Sequence, residues 1–234
     1  MEKDALEFLI NLTQPDTIEF DGLQYSKINL HPIKDPTPEP LKGHTLTGLV
    51  DFIGDDTEKE YMIHIQDYDH VLLKSTDLGN FKHREIYMDV SYVNSSFNFN
   101  NFHTLEQFII SLQAHFIKTD IRDNILKIVG NVTSSFIKNT SDDGITQTVE
   151  GKTGITKVAY IDLPNPVTLI PYRTFAEIDQ PDGKFILRLR EDEKQMRASL
   201  FTADGDYWKN ECINRIKNFY KTTFSDRKNI KIIA

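Results

Sequence analysis

Four arginines in the last third of the chain carry the residue chemistry best suited to a ligand: Arg173, Arg188, Arg190 and Arg197. Arg188 and Arg190 stand two apart, on the polar parity of one predicted strand, and Arg197 takes the polar parity of the next. If those strands pair, three guanidinium groups project from one face of a sheet, and Arg173 is placed to join them. A guanidinium is a planar fork of donors that suits the oxygens of phosphate and carboxylate. Tyr172 and Phe175 flank Arg173 and offer rings for stacking on a base. The same pattern also fits a solvated sheet face balanced by Glu191, Asp192 and Glu193. On sequence alone both readings stay open.

Other chemistries find less support. Gly151-Lys152-Thr153-Gly154 lacks the upstream glycine and the following helix that a phosphate-cradling loop needs, so it reads as a strand end and turn. Asp67, Asp69 and His70 cluster with His64 nearby, but the intervening residues look like an acidic turn rather than a metal-ligand spacing. Cys212 falls on the inner face of a predicted helix, where a small hydrophobe is at home. The remaining carboxylate pairs sit in predicted turns, where solvation accounts for them. The expectation is a non-enzymatic protein with no catalytic residue, metal ligand or cofactor.

The 234 residues suffice for one large domain or two small ones, and aromatic residues at 11 % of the chain argue against disorder. A single cysteine excludes an internal disulfide framework. The net charge of −8 argues against a generic nucleic-acid coat. That total divides unevenly. Residues 1–120 carry nine Lys/Arg against 20 Asp/Glu, whereas residues 121–234 carry 18 against 15. A local anion site therefore belongs in the second half. No run of 18 apolar residues occurs, and Met1–Leu12 lacks a secretory-signal pattern, so no membrane association and a cytoplasmic location in a host cell are expected.

These residues have to be positioned by elements that the spacing predicts. Residues 1–40 read as an N-terminal helix (Lys3–Thr13), a hairpin about Asp21-Gly22 and a Pro-rich arm over His31–Pro40, ahead of a core domain over 41–234. Thr45 caps a helix with Leu46, Leu49 and Ile53 on one face, ending near Gly54. Period-two alternation marks strands over Tyr61–Ile65, Val71–Lys74 and Arg84–Val93. Thr104 and Gln107 form a capping-box pattern before a helix carrying Leu105, Phe108, Leu112 and Phe116. Strands are expected over Asn124–Val132, Ser135–Asn139, Ile145–Glu150, and Phe185–Arg190 paired with Met196–Leu200. A last helix follows Asp204-Gly205-Asp206, with Trp208, Cys212, Ile216 and Phe219 facing inward. The fold class is α+β: a mostly antiparallel sheet with two or three packed helices.

The run Leu169-Ile170-Pro171-Tyr172-Arg173-Thr174-Phe175-Ala176-Glu177, then Gln180-Pro181, the arginine strand, and Leu200-Phe201 with Ala203-Asp204-Gly205 and Trp208 resembles a family of uncharacterised tailed-phage and prophage proteins. The likeness extends over residues 41–224; Asp182-Gly183 departs from it, since a small polar residue is expected after the proline. The resemblance implies a phage-encoded intracellular protein and no established activity. Joined to the arginines, it leads to the expectation of a homo-oligomer binding a phosphate-bearing nucleotide-type ligand, in the manner of a protein that sequesters a host defence signal. The alternative is a nucleic-acid accessory role in phage replication or recombination, with single-stranded nucleic acid on the same face.

Overall fold

The computed structural model describes residues 17–26, 38–79, 83–93, 95–132, 140–142, 147–153, 157–192 and 195–234. The predicted helix over Lys3–Thr13, the strand over Ser135–Asn139 and most of the Pro-rich arm lie outside the described residues. The hairpin expected near the start is present as β1 (Thr17–Phe20) and β2 (Leu23–Ser26), paired antiparallel. Asp21 and Gly22 take φ of 54° and 72°, the two positive values that a tight turn of this hand requires.

A first layer begins with β3 (Leu41–Gly43), α1 (Leu46–Ile53), β4 (Tyr61–Asp67), β5 (His70–Ser75) and β6 (Ile86–Ser91). Thr45 caps α1 as its sequence predicts: its backbone is extended and its hydroxyl oxygen accepts the Gly48 N–H at 3.1 Å. The three long strands form an antiparallel meander whose alternate residues Tyr61, Ile63, Ile65, Val71, Leu73, Met88 and Val90 are buried. β3 then adds to β6, and the last strand of the chain, β14 (Ile230–Ile233), adds to β4. Both of these edge pairings are parallel, giving the order β14-β4-β5-β6-β3. Neither edge strand was predicted, because three or four residues are too few to show a period.

The second layer contains β7 (His103–Thr104), α2 (Leu105–His115) and α3 (Asp120–Val132). The Thr104 hydroxyl accepts the Gln107 N–H at 3.3 Å, in keeping with the capping pattern. The strand expected over Asn124–Val132 is instead the end of α3. Its buried residues Ile125, Val129 and Val132 follow helical spacing, and the Thr119 hydroxyl accepts the Arg122 N–H at 3.2 Å to cap the start. The β-branched Ile128-Val129 pair argues for a strand by propensity, but burial along a four-residue spacing outweighs it. Next come β8 (Thr140–Asp142), β9 (Gln147–Thr153) and β10 (Lys157–Asp162), a three-stranded antiparallel sheet in which Gly151-Lys152-Thr153 is strand.

β11 (Val167–Leu169), β12 (Gly183–Asp192) and β13 (Gln195–Thr202) follow, giving a sheet of order β11-β12-β13-β7. Phe185, Leu187 and Leu189 of β12, with Ala198 and Leu200 of β13, are buried with Phe108 and Leu112 of α2 and with Ile125 and Val129 of α3. The chain then returns to the first layer through α4 (Tyr207–Thr223). Cys212, Ile216 and Tyr220 are its buried residues, so Tyr220 rather than Phe219 continues the inward stripe at four-residue spacing. Burial pushes the Cys212 thiol up to about 11, as befits a packed hydrophobe. The fold is α+β, with four helices among the described residues and sheets that are mostly antiparallel. Most of the buried apolar residues fall into two clusters, each built mainly from two helices on one sheet. No helix among the described residues is long and apolar enough to cross a membrane.

The parity of β12 has a direct test in urea denaturation. Leu187→Ala removes a fully buried side chain and is expected to cost about 2–5 kcal/mol. Lys184→Ala, on the opposite parity and exposed, is expected to stay within about 0.5 kcal/mol of the parent. Equal effects would contradict the register.

Candidate ligand cleft

The segment between β11 and β12 joins the two layers. On leaving β11 it runs beside the end of α2: Ile117 N–H donates to the Ile170 carbonyl at 2.8 Å and Tyr172 N–H to the His115 carbonyl at 2.9 Å. Gln180 then ties the loop closed with one amide. Its Oε1 accepts the N–H groups of Arg173 (2.8 Å) and Thr174 (3.2 Å), while its Nε2 donates to the carbonyls of Thr174 (3.2 Å) and Phe175 (2.9 Å). A single side chain thereby satisfies backbone groups that no sheet or helix reaches. From this loop Phe175 and Ile178 enter the first-layer core. The Thr174 hydroxyl donates to the Tyr68 carbonyl at 2.5 Å, in the turn between β4 and β5.

Between these anchors lies Arg173, only 8 % exposed. Its guanidinium carbon is 4.3 Å from the ring centre of Trp208, 5.1 Å from that of Phe185 and 5.6 Å from that of Phe99. One carboxylate accompanies it: Asp204 Oδ2 stands 3.6 Å from Nη1. Burial lowers the Arg173 pKa from its ordinary value, and the Asp204 charge opposes that shift. Gly183 leaves the room. A Cβ there would lie 2.7 Å from Asp204 Oδ2 and 3.0 Å from Arg173 Nη2.

Arg173 and Trp208 line a cleft of about 530 Å³, a volume in the range of small-molecule sites. Tyr68, Tyr92, Phe97, Phe99 and Tyr172 supply further aromatic lining. Trp208 meets Tyr68 edge to face at 4.8 Å. Ser96, Asn100 and Thr202 add neutral polar groups; Asp69, Asp206 and Lys209 add charges. The Lys209 ammonium donates to Asp206 at 2.9 Å, which holds the Asp206 carboxyl below the usual carboxylate range and raises Lys209. A second recess, of about 440 Å³, lies against Trp208, Gly183, Asp204 and Tyr207.

The six residues singled out by sequence are dispersed. Tyr172, 40 % exposed, lines the cleft together with Arg173. Phe175 is fully buried in the first-layer core, 5.8 Å from the Tyr92 ring, and offers no face to a ligand. Arg188, Arg190 and Arg197 do share one face of the β12–β13 pair, and Arg190 is the register partner of Arg197. That face lies opposite Phe185, the residue Arg173 packs on, so Arg173 does not join them. Nor are those guanidinium groups an open cationic plate. Asp192 is 3.7 Å from Arg190 and 3.2 Å from Arg197, Arg190 lies over the Phe102 ring at 4.0 Å, and Arg188 is half-buried beside the fully buried Ser199.

Sequence reasoning missed Trp208, Tyr68, Asp69, Asp206 and Lys209 as site residues. Trp208 reads as an inner-face helix residue, yet it is in the first turn of α4, where it meets Arg173 instead of the sheet. Tyr68 and Asp69 belong to the acidic turn that drew attention as a metal candidate. His70 there takes part in a 2.7 Å contact with Asp89, and the Lys74 ammonium donates to His64 Nδ1 at 2.9 Å. Burial, followed by the Lys74 charge, lowers the His64 pKa. Among the described residues no group of three or more His, Cys, Asp or Glu side chains is placed to hold a metal ion.

Arg173→Ala leaves Asp204 as a largely buried charge without its cation, and is expected to cost about 3–5 kcal/mol in denaturant titrations. Gly183→Ala overpacks the same pair and is expected to cost about 1–3 kcal/mol. An Arg173→Ala variant as stable as the parent would show that the pair is not structural.

Comparison of the chain with protein-family models, curated proteins and solved structures finds no match, so the function has to be read from the cleft itself.

Proposed function

We propose that the cleft holds a small planar ligand of nucleoside or nucleotide type, and that the protein binds this ligand without converting it. The observation that carries this reading is a pocket of about 530 Å³ whose lining combines aromatic rings with hydrogen-bonding side chains. Aromatic walls supply stacking area for a base, and a few convergent polar groups orient it. Tyr172, part-exposed at the cleft, is the ring best placed to cover such a base. The lining residues include no histidine or cysteine, and of the two lining carboxylates Asp206 is exposed and bonded to Lys209, which leaves the half-buried Asp69 without a second acid or base beside it; this favours holding a ligand over paired acid–base or nucleophilic chemistry on it.

Placing the ligand in the cleft moves it away from the arginine face. Asp192 offsets the charge of Arg190 and Arg197, which weakens the case for a nucleic-acid track there. In a phage-encoded protein, as the sequence resemblance implies, capture of a nucleotide would serve to sequester a host signal.

Calorimetric titration with nucleosides, their monophosphates and cyclic dinucleotides tests the reading. At least one is expected to bind, and Tyr172→Ala is expected to weaken that binding about tenfold or more without lowering the melting temperature. Absence of heat across the whole panel would overturn it.

A further inference from the structure

Most of the charge around the cleft is settled by the protein itself. The Asp204 carboxylate meets the Arg173 guanidinium with one oxygen, at 3.6 Å, and the Asp206 N–H with the other, at 3.3 Å. The Lys209 ammonium is held by Asp206 at 2.9 Å. Each cation of the lining thus has its own carboxylate, and neither is left over for an anion. Asp69 is the remaining charge. Among the described residues no lysine, arginine or histidine forms an ion pair with it.

Asp69 is also held in place. Its carbonyl accepts the Tyr92 N–H at 2.9 Å, and the Tyr68 carbonyl before it accepts the Thr174 hydroxyl at 2.5 Å. The β4–β5 turn is thereby pinned to the chain leaving β6 and to the loop that Gln180 closes. Asp69 is half-buried, and its charge reaches the Tyr68 hydroxyl: burial, followed by that charge, raises the Tyr68 pKa. An ionised carboxylate only accepts, through two oxygens side by side. A donor stands on another border of the cleft. Asn100, in the loop before β7, accepts the Thr202 N–H on its Oδ1 at 3.1 Å, which leaves Nδ2 to donate.

We infer that Asp69 reads the base of the ligand, and that this base is guanine or a purine with the same two adjacent N–H donors. This deepens the nucleoside or nucleotide reading and rests on it. The two carboxylate oxygens match N1–H and the 2-amino group of guanine as a bidentate, charge-assisted pair. Adenine and cytosine carry a ring-nitrogen acceptor beside their amino group, and uracil flanks its one N–H with carbonyls. Each of these sets a lone pair against a carboxylate oxygen, and a site built for hydrogen bonds rejects a ligand that cannot make them. Asn100 Nδ2 serves an acceptor of the same purine. A phosphate adds no affinity, because the cations of the lining are already taken; it stays in solvent at the mouth.

Trp208 is the only tryptophan of the chain and lines the cleft, so its emission reports binding. The full chain is titrated with guanosine, inosine, adenosine and guanosine monophosphate, as the parent and as Asp69→Asn. Guanosine is expected to bind about tenfold or more tighter than adenosine, with inosine, which lacks the 2-amino group, between them. The monophosphate is expected to bind no tighter than guanosine. Asp69→Asn exchanges one acceptor for a donor, so it should weaken guanosine about tenfold without weakening adenosine, a reversal that general damage to the cleft would not produce. Thermal melts check the fold of the variant, and the ranking of bases in the parent is a test without it. Equal affinity for guanosine and adenosine in the parent, markedly tighter binding of the monophosphate, or equal losses of both nucleosides in Asp69→Asn overturns the inference and leaves the broader reading in place. If none of these ligands binds, the inference has failed; binding of another nucleoside or of a cyclic dinucleotide then spares the broader reading, and its absence overturns both.

Discussion

Arg173 carries a positive charge to a place that water scarcely reaches, and the chain around it is arranged to offset that cost. Desolvating a guanidinium costs several kcal/mol even when a counter-ion is near. Asp204 returns part of this through charge, and the faces of Trp208, Phe185 and Phe99 return part through the ring quadrupole. These partners come from the start of β12, the start of α4 and the stretch before β7, so one side chain brings three distant parts of the chain to a common point. Gly183 belongs to the same constraint, since any side chain there would occupy the space that Asp204 and Arg173 share.

The loop that delivers Arg173 is held as tightly as a regular element, without being one. The Gln180 amide replaces the ladder that a strand or helix would have supplied, and Phe175 and Ile178 fasten the loop into the first-layer core. The layer order follows from this route. Residues of the second half, through α4 and β14, complete a sheet begun in the first half, while β12 and β13 complete the other. The cleft is bordered by the β4–β5 turn, the loop before β7, the Gln180 loop and the first turn of α4. Each border is thus a connection or an element end, where side chains are not consumed by core packing.

Much of this was legible from residue spacing, and the reasons for success and failure are physical. Thr45, Thr104 and the Asp21-Gly22 pair act through neighbours within a few residues, so their consequences were predictable. Alternation in Tyr61–Ile65 and Phe185–Leu189 likewise reflects a two-sided environment that a strand imposes on its own sequence. The helix over Asp120–Val132 was misread because β-branched residues pull toward strand while burial runs at helical spacing. The edge strands β3 and β14 were missed because their pairing is parallel and joins residues far apart in the chain. At the site, arginine parity predicted correctly that Arg188, Arg190 and Arg197 share a face. The reading of a sheet face balanced by neighbouring acids matches Asp192 standing among them, but nothing in the spacing showed that Arg173 would pack on the other side.

Taken by itself, the sequence determined the α+β class, the caps, the hairpin turn and most inward-facing stripes, because each depends on local conformational preference or on a short period. Tertiary structure alone decided which charges are buried and which rings surround a cavity. Arg173 and Arg190 are the same residue type, one on a loop and one on a strand. One is enclosed by Trp208, Phe185 and Asp204 and the other stands on an outer face beside Asp192. Their difference arises from contacts between segments up to about a hundred residues apart, and the cost of desolvating a charge is set by those contacts and not by the residue's neighbours in the chain.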